Sequence, residues 1–207
     1  MFITLEGPDG SGKTTQAELL IKYIESLGLK AIKTREPGGT LIGKKIREII
    51  LAPESEEMCG MAEVLLYAAD RTQHVEEVIK PALLRGDIVV CDRYFDSSVA
   101  YQGGLGISSD VIHKVNEVAT CGIMPDVTLL LDCDPECGLT RAKKTSCGDR
   151  IEQRHIEFHK KVREKYIELA EIYHERYRVI SINDKSIDEI HQEIVDIVEK
   201  ELLKVGE

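Results

Sequence analysis

Gly7-Pro8-Asp9-Gly10-Ser11-Gly12-Lys13-Thr14 follows directly on the strand-like run Phe2-Ile3-Thr4-Leu5-Glu6. The octapeptide fills every fixed position of the phosphate-binding loop pattern G-x-x-x-x-G-K-[ST] in a strand-before, helix-after context. Its glycines let the backbone turn N–H groups inward around a phosphate chain, and the helix that starts near Lys13 adds the positive end of its dipole. Lys13 is placed to reach the outer phosphates of a nucleoside triphosphate, and the Thr14 hydroxyl to ligate Mg²⁺. Asp9 lies within the loop, where an inward carboxylate would repel phosphate oxygens. It is expected to point outward, toward another group such as a sugar hydroxyl.

Beyond the loop, Ala17, Leu20, Ile21, Ile24 and Leu27 recur at helical spacing before a stop at Gly28. The pattern then predicts a strand over 29–34 and a helix opening near Thr40 that turns Ile42, Ile46, Ile49 and Ile50 inward. A helix through Met61, Leu65, Leu66 and Ala69 follows, then another from Val75 that must accommodate Pro81. The runs 87–92 and 127–132 are unbroken apolar segments ending in Asp92 and Asp132, the form of buried parallel strands. Between them the spacing predicts a helix capped at Ser108 or Ser109, with Val111, Ile112, Val115 and Val118 as core positions. Asp134-Pro135 opens a further helix, Arg141 to Arg150 reads as a basic connection, and 153–174 returns to helix. A last strand over 178–182 precedes the capping box Ser186-Ile187-Asp188-Glu189. Five strands alternating with helices imply an α/β parallel sheet covered on both faces, with ligands at the carboxyl ends of the strands.

The length of 207 residues suits a single domain spanning 1–207. A formal net charge of −10 argues against surfaces that coat nucleic acid or anionic membrane, since both need clustered positive charge. The loop begins almost at the amino terminus and no run is long enough to span a bilayer, so a cytoplasmic location is expected. The six cysteines are widely scattered and read as reduced thiols. Cys133 and Cys137 lack a second ligand pair for zinc. His155 and His159 fit a solvated helical face and receive no role.

Asp92-Arg93 provides a carboxylate that could support Mg²⁺ and a guanidinium aimed at the phosphates, although Asp132 competes for the first role and a surface ion pair for the second. Thr34-Arg35-Glu36-Pro37-Gly38-Gly39-Thr40, then Leu65-Leu66-Tyr67-Ala68-Ala69-Asp70-Arg71, then Asp92-Arg93-Tyr94 through Tyr101-Gln102-Gly103-Gly104 occur in that order. With the phosphate loop they make the chain resemble the thymidylate kinases of the bacterial type, from the amino terminus to about Tyr177. The resemblance implies the three-layer P-loop NTPase fold with a mainly parallel five-stranded sheet. It implies transfer of the terminal phosphate of ATP to dTMP, giving dTDP and ADP in dTTP biosynthesis, with Mg²⁺, in a homodimer.

The resemblance also implies residue roles. ATP would lie on Gly7, Pro8, Asp9, Gly10, Ser11, Gly12, Lys13 and Thr14, with Thr14 and Asp92 toward the metal. Tyr67, where the family commonly has phenylalanine, would stack on thymine, and Arg71 would contact the base. Ser98, Tyr101 and Gln102 would line the deoxynucleotide pocket together with Asp9. Arg47 and Arg93 would approach the monophosphate on the side shaped by Glu36 and Pro37, while Arg35 is expected to pair with carboxylates near the sheet. A basic lid at about 140–150 would bring Arg141, Lys143, Lys144 and Arg150 over ATP, with Lys13, Arg93 and Arg141 as the catalytic cations. Without the surrounding motifs, Tyr67 reads as a core aromatic and Arg71 as a helix-surface charge. A kinase for another nucleoside or nucleotide, or a nucleotide-dependent switch, is the alternative reading.

Overall fold

Strands whose residues are apolar on both faces can bury both only inside a layered α/β sandwich, and this chain builds one. The computed structural model describes residues 1–142 and 149–205. Its elements run β1 (Phe2–Glu6), α1 (Lys13–Ser26), β2 (Ala31–Arg35), α2 (Leu41–Leu51), α3 (Gly60–His74), α4 (Lys80–Leu84), β3 (Ile88–Asp92), α5 (Phe95–Gly104), α6 (Ser109–Thr120), β4 (Val127–Asp132), α7 (Pro135–Ala142), α8 (Ile156–Ile172), β5 (Tyr177–Ser181) and α9 (Ile187–Val205). The five strands form one all-parallel sheet in the order β2-β3-β1-β4-β5, so β1 and its loop sit at the centre. Among the described residues, no helix is long and apolar enough to cross a membrane.

The two faces of β1 differ in a way that places the chemistry. Ile3 and Leu5 join Ala17, Leu20 and Ile24 of α1 and Ile190, Ile194 and Val198 of α9 in one apolar layer. Burying each large aliphatic side chain there contributes about 1.5–3 kcal/mol. The opposite face begins apolar at Phe2, which packs edge-on against Tyr94. It turns polar at Thr4, which shares a hydrogen bond with Thr128, and reaches a carboxylate at Glu6. That face therefore grades from core into site along a single strand.

Several expected elements take a different form. The helix predicted from Val75 continues α3, because a wider π-helical turn over Val75–Ile79 joins α3 to α4. Pro81 sits in the first turn of α4, where a missing N–H leaves little unsatisfied. The segment holding Ser98, Tyr101 and Gln102 forms α5, for which the sequence reading had no helix. The inward positions predicted on α2 and α6 are corrected in part. Ile42 and Ile49 of α2 are exposed while Ile50 is buried, and α3 buries Glu63, Val64, Ala68, Asp70, Arg71 and His74 while exposing Met61 and Leu65. On α6, Ile112 is buried but Val111 and Val118 are exposed. The Ser186–Glu189 capping box forms as expected, the Glu189 N–H donating to the Ser186 hydroxyl while its carboxylate accepts from the Ser186 N–H.

Candidate active site

The phosphate loop needs backbone conformations that side chains resist. Gly10 and Gly12 have φ of 72° and 88°, and Gly12 leads into α1 as its amino-terminal cap. The loop is held from outside by α7: a β-carbon on Gly10 would lie 1.9 Å from the Gly138 carbonyl oxygen. Lys13 folds over the loop, its Nζ donating to the carbonyls of Gly7 and Pro8 at 3.1 and 2.7 Å and to the Ser11 hydroxyl at 3.1 Å. Burial, and then the positive charge of Arg93, lower its pKa from 10.5 to about 8.

A cleft of about 470 Å³ runs from this loop, lined by Lys13, Thr14, Asp92 and Arg141 toward one end and by Tyr67, Arg71, Ser98, Tyr101 and Gln102 toward the other. Asp92 and Thr14 meet at the loop end, with the hydroxyl donating to the carboxylate at 2.5 Å. These two hard oxygen donors suit Mg²⁺, which holds few protein ligands and keeps waters and phosphate oxygens. Asp132, the competing carboxylate, instead accepts from Arg163 through bonds of 2.6 and 2.8 Å.

Arg93 occupies the middle of the cleft and pays for its position in backbone strain, with φ of 70° in a region disfavoured for bulky residues. Its guanidinium donates to the Gly7 carbonyl at 2.9 Å, to Asp9 at 2.5 Å and to the Tyr101 hydroxyl at 3.0 Å, and also reaches Ser97 and Tyr166. Asp9 thus turns out of the loop, as charge repulsion requires, and its partners are Arg93 and the Tyr101 hydroxyl, which donates at 2.8 Å. Burial pushes the Asp9 carboxyl up, but Arg93 and Lys13 outweigh it and hold the pKa below its ordinary value. Beneath Arg93 lies Glu6, which accepts from the Tyr94 N–H at 2.7 Å, the Ser97 hydroxyl at 2.6 Å and the Tyr166 hydroxyl at 2.9 Å. Burial, followed by repulsion from Asp96, raises its pKa to about 7.

Arg71 is far from a surface charge. It is one of the largest fully buried side chains. Its Nε donates to Glu36 at 2.7 Å, Nη1 to Ser98 at 3.1 Å and to Asn116, and Nη2 to the Tyr94 carbonyl at 3.3 Å. Four of the five guanidinium hydrogens are thereby engaged, which leaves one for a ligand. Glu36 also meets His74 Nδ1 at 2.9 Å. Tyr67 is half-buried on the cleft wall, and burial raises its hydroxyl pKa, as does Glu63 nearby. Arg47 donates to the Pro37 carbonyl at 3.1 Å and lines the cleft, its pKa lowered by burial and then by the neighbouring Arg35. Arg35 has no carboxylate partner among the described residues and lines the cleft as well, contrary to the architectural role expected for it.

Arg141 lines the cleft from the last turn of α7. Lys143 and Lys144 lie outside the described residues. The lid role expected of Arg150 is corrected: it is buried, donating to the Ile50 carbonyl at 2.9 Å and to Glu63 at 2.7 Å, and does not line the cleft. His159, expected on a solvated face, is buried, whereas His155 is exposed. The sequence reading gave no role to Glu6, Glu63, His74, Ser97, Asn116 or Tyr166. The signal at Glu63 was a carboxylate within the otherwise apolar run Met61 to Leu66, and such a residue needs partners once buried.

A family model described as thymidylate kinase matches residues 5–194. The thymidylate kinase of Halothermothrix orenii is 50% identical over 208 residues, covering 99% of each chain. That of an Exiguobacterium species is 47% identical over 208 residues, covering 100% of this chain and 97% of the relative. Among solved structures, the crystal structure of thymidylate kinase from Ehrlichia chaffeensis superposes with a TM-score of 0.79 at 33% identity, covering 96% of this chain and 98% of that one.

Proposed function

Because the chain belongs to the thymidylate kinase family, we propose that it transfers the γ-phosphate of ATP to dTMP, forming dTDP and ADP, at the cleft just described. The observation that carries this reading is Arg93. It stands between a phosphate loop at one end of the cleft and a recess of Tyr67, Arg71, Ser98 and Gln102 at the other.

ATP lies on residues 7–14, with Lys13 released from the loop carbonyls to the outer phosphates. Thr14 and Asp92 would hold Mg²⁺, which would neutralise charge on the phosphate oxygens. The dTMP ring stacks on Tyr67, takes the remaining Arg71 hydrogen at a base oxygen, and meets Ser98 and Gln102 at its polar edge. Arg47, on the Glu36–Pro37 side, faces the monophosphate, and Asp9 and Tyr101 flank the sugar. Arg93 then bridges donor and acceptor phosphates while Arg141 closes on the transferred group from α7. The monophosphate oxygen is already ionised and attacks in line, so positioning and charge neutralisation do the catalytic work and no separate base is required.

The assembly we propose is a homodimer formed through α2, α3 and α6. α3 packs between the other two. Together they expose Leu41, Ile42, Ile49, Met61, Leu65 and Val118, an apolar face of the kind that marks an interface.

The deciding experiment is a substrate panel of dTMP, dUMP, dCMP and dGMP with ATP and Mg²⁺, read by coupled ADP release. We expect kcat/KM to be highest for dTMP. Equal turnover of all four would overturn the substrate, and nucleotide binding with no acceptor turnover would favour a switch.

A further inference from the structure

Gln102 is 1% exposed and forms part of the cleft wall, and its two amide ends are treated differently. Nε2 donates to Glu63 Oε1 at 2.8 Å, whereas Oε1 is buried with no hydrogen-bond partner among the described residues. An amide can turn end for end, so something must choose between these orientations. Glu63 makes the choice. It is fully buried, and its second oxygen receives Arg150 Nη2 and Arg154 Nη2, each at 2.7 Å. A carboxylate held between two guanidinium groups can only accept. The Gln102 nitrogen must therefore face Glu63, and the carbonyl oxygen, the side chain's one acceptor, is left unpaired at the other end.

We propose that Glu63 is a positioning residue that locks the Gln102 amide with its oxygen available to the base, so that the pocket selects a pyrimidine whose N3 carries a hydrogen. Thymine offers N3–H to that oxygen and satisfies a buried acceptor that is otherwise costly to leave unpaired. Cytosine presents an N3 lone pair instead and sets two acceptors face to face. This inference rests on the dTMP reading of the cleft, and adds that selectivity is imposed from behind the pocket by a side chain that need not touch the nucleotide. Arg150 and Arg154 enter as the charges that keep Glu63 an acceptor.

The test compares kcat/KM for dTMP and dCMP in the wild type, Glu63→Gln, Gln102→Leu and the double variant. Gln at position 63 can donate to Gln102 Oε1 and lets the amide turn over. The dTMP preference should then fall by about tenfold or more, with the loss in KM for dTMP exceeding that in kcat. Gln102→Leu should lose a similar preference with Glu63 and both arginines intact, and the double variant should lose no more than the larger single loss. A folded Glu63→Gln that loses activity equally toward both nucleotides would overturn the proposal. So would a Gln102→Leu that keeps the wild-type ratio, a result that can be read even where Glu63→Gln does not fold. A wild-type enzyme without preference for dTMP would overturn the substrate reading itself, and this proposal with it.

Discussion

Lys13 shows how one residue is pulled in two directions. Its ammonium must meet phosphate, yet the loop that positions it is buried and shared with Arg93, and both lower its pKa to about 8. In the free enzyme the charge is lost as pH rises through that value. We therefore expect kcat/KM for ATP to fall above about pH 8, approaching tenfold per pH unit, while kcat stays level because bound phosphate restores the proton. A kcat/KM that stays flat to well above this pH would remove Lys13 from that role. Glu6 works in the opposite sense. Its folded pKa of about 7 lies above the ordinary 4.5, so between those values the folded state holds the extra proton and stability falls as pH rises. That loss is on the order of 3 kcal/mol. Glu6→Gln, which does not titrate, should flatten the dependence of urea unfolding on pH across this window. An unchanged slope would mean that another group carries it. Glu6 was legible only as a strand residue, because its three partners come from Tyr94, Ser97 and Tyr166 far along the chain.

At the level of elements, α3 departs from the usual rule, burying charged side chains beside Val64 and Ala68. α3 directs Glu63, Asp70, Arg71 and His74 inward and leaves Met61 and Leu65 in solvent, whereas periodicity alone selects the apolar stripe as the core face. The reading fails here because burial can be satisfied by ion pairs and hydrogen bonds supplied by other elements, and no local pattern reveals those partners. Beyond the polar first turn of α1, its apolar spacing identified the buried face correctly through Ala17, Leu20 and Ile24. The docking of α7 against the phosphate loop offers an element-scale test. Gly138→Ala should favour the helix by up to about 1 kcal/mol. Its β-carbon, however, would lie 2.4 Å from the Asp9 carbonyl oxygen, and backbone on both sides leaves little room to yield. The clash should win by about 1–2 kcal/mol, lowering Tm and weakening ATP more than dTMP. A variant at least as stable as the wild type, with unchanged KM for ATP, would show that the contact does not hold the loop.

For the whole molecule, the parallel sheet brings the loop after β1, the Asp92-Arg93 turn after β3 and the start of α7 after β4 to one edge. The exposed apolar residues of α2, α3 and α6 lie on adjoining helices, and the α2–α3 pair also carries Arg47, Tyr67 and Arg71. If a second copy covers that face, Leu65→Glu combined with Val118→Glu should convert a dimer to monomer in sedimentation velocity. A wild type already monomeric at micromolar concentration would sink the assembly. The strand-loop-helix unit, the buried parallel strands and the family were legible in the chain, since each rests on residues within a few positions of one another. Long-range pairing settled the rest. Arg71 became a buried hub, Arg150 an anchor and Asp132 a clamp partner because the free energy of a charged group depends on what surrounds it in space, and its neighbours along the chain do not supply those surroundings.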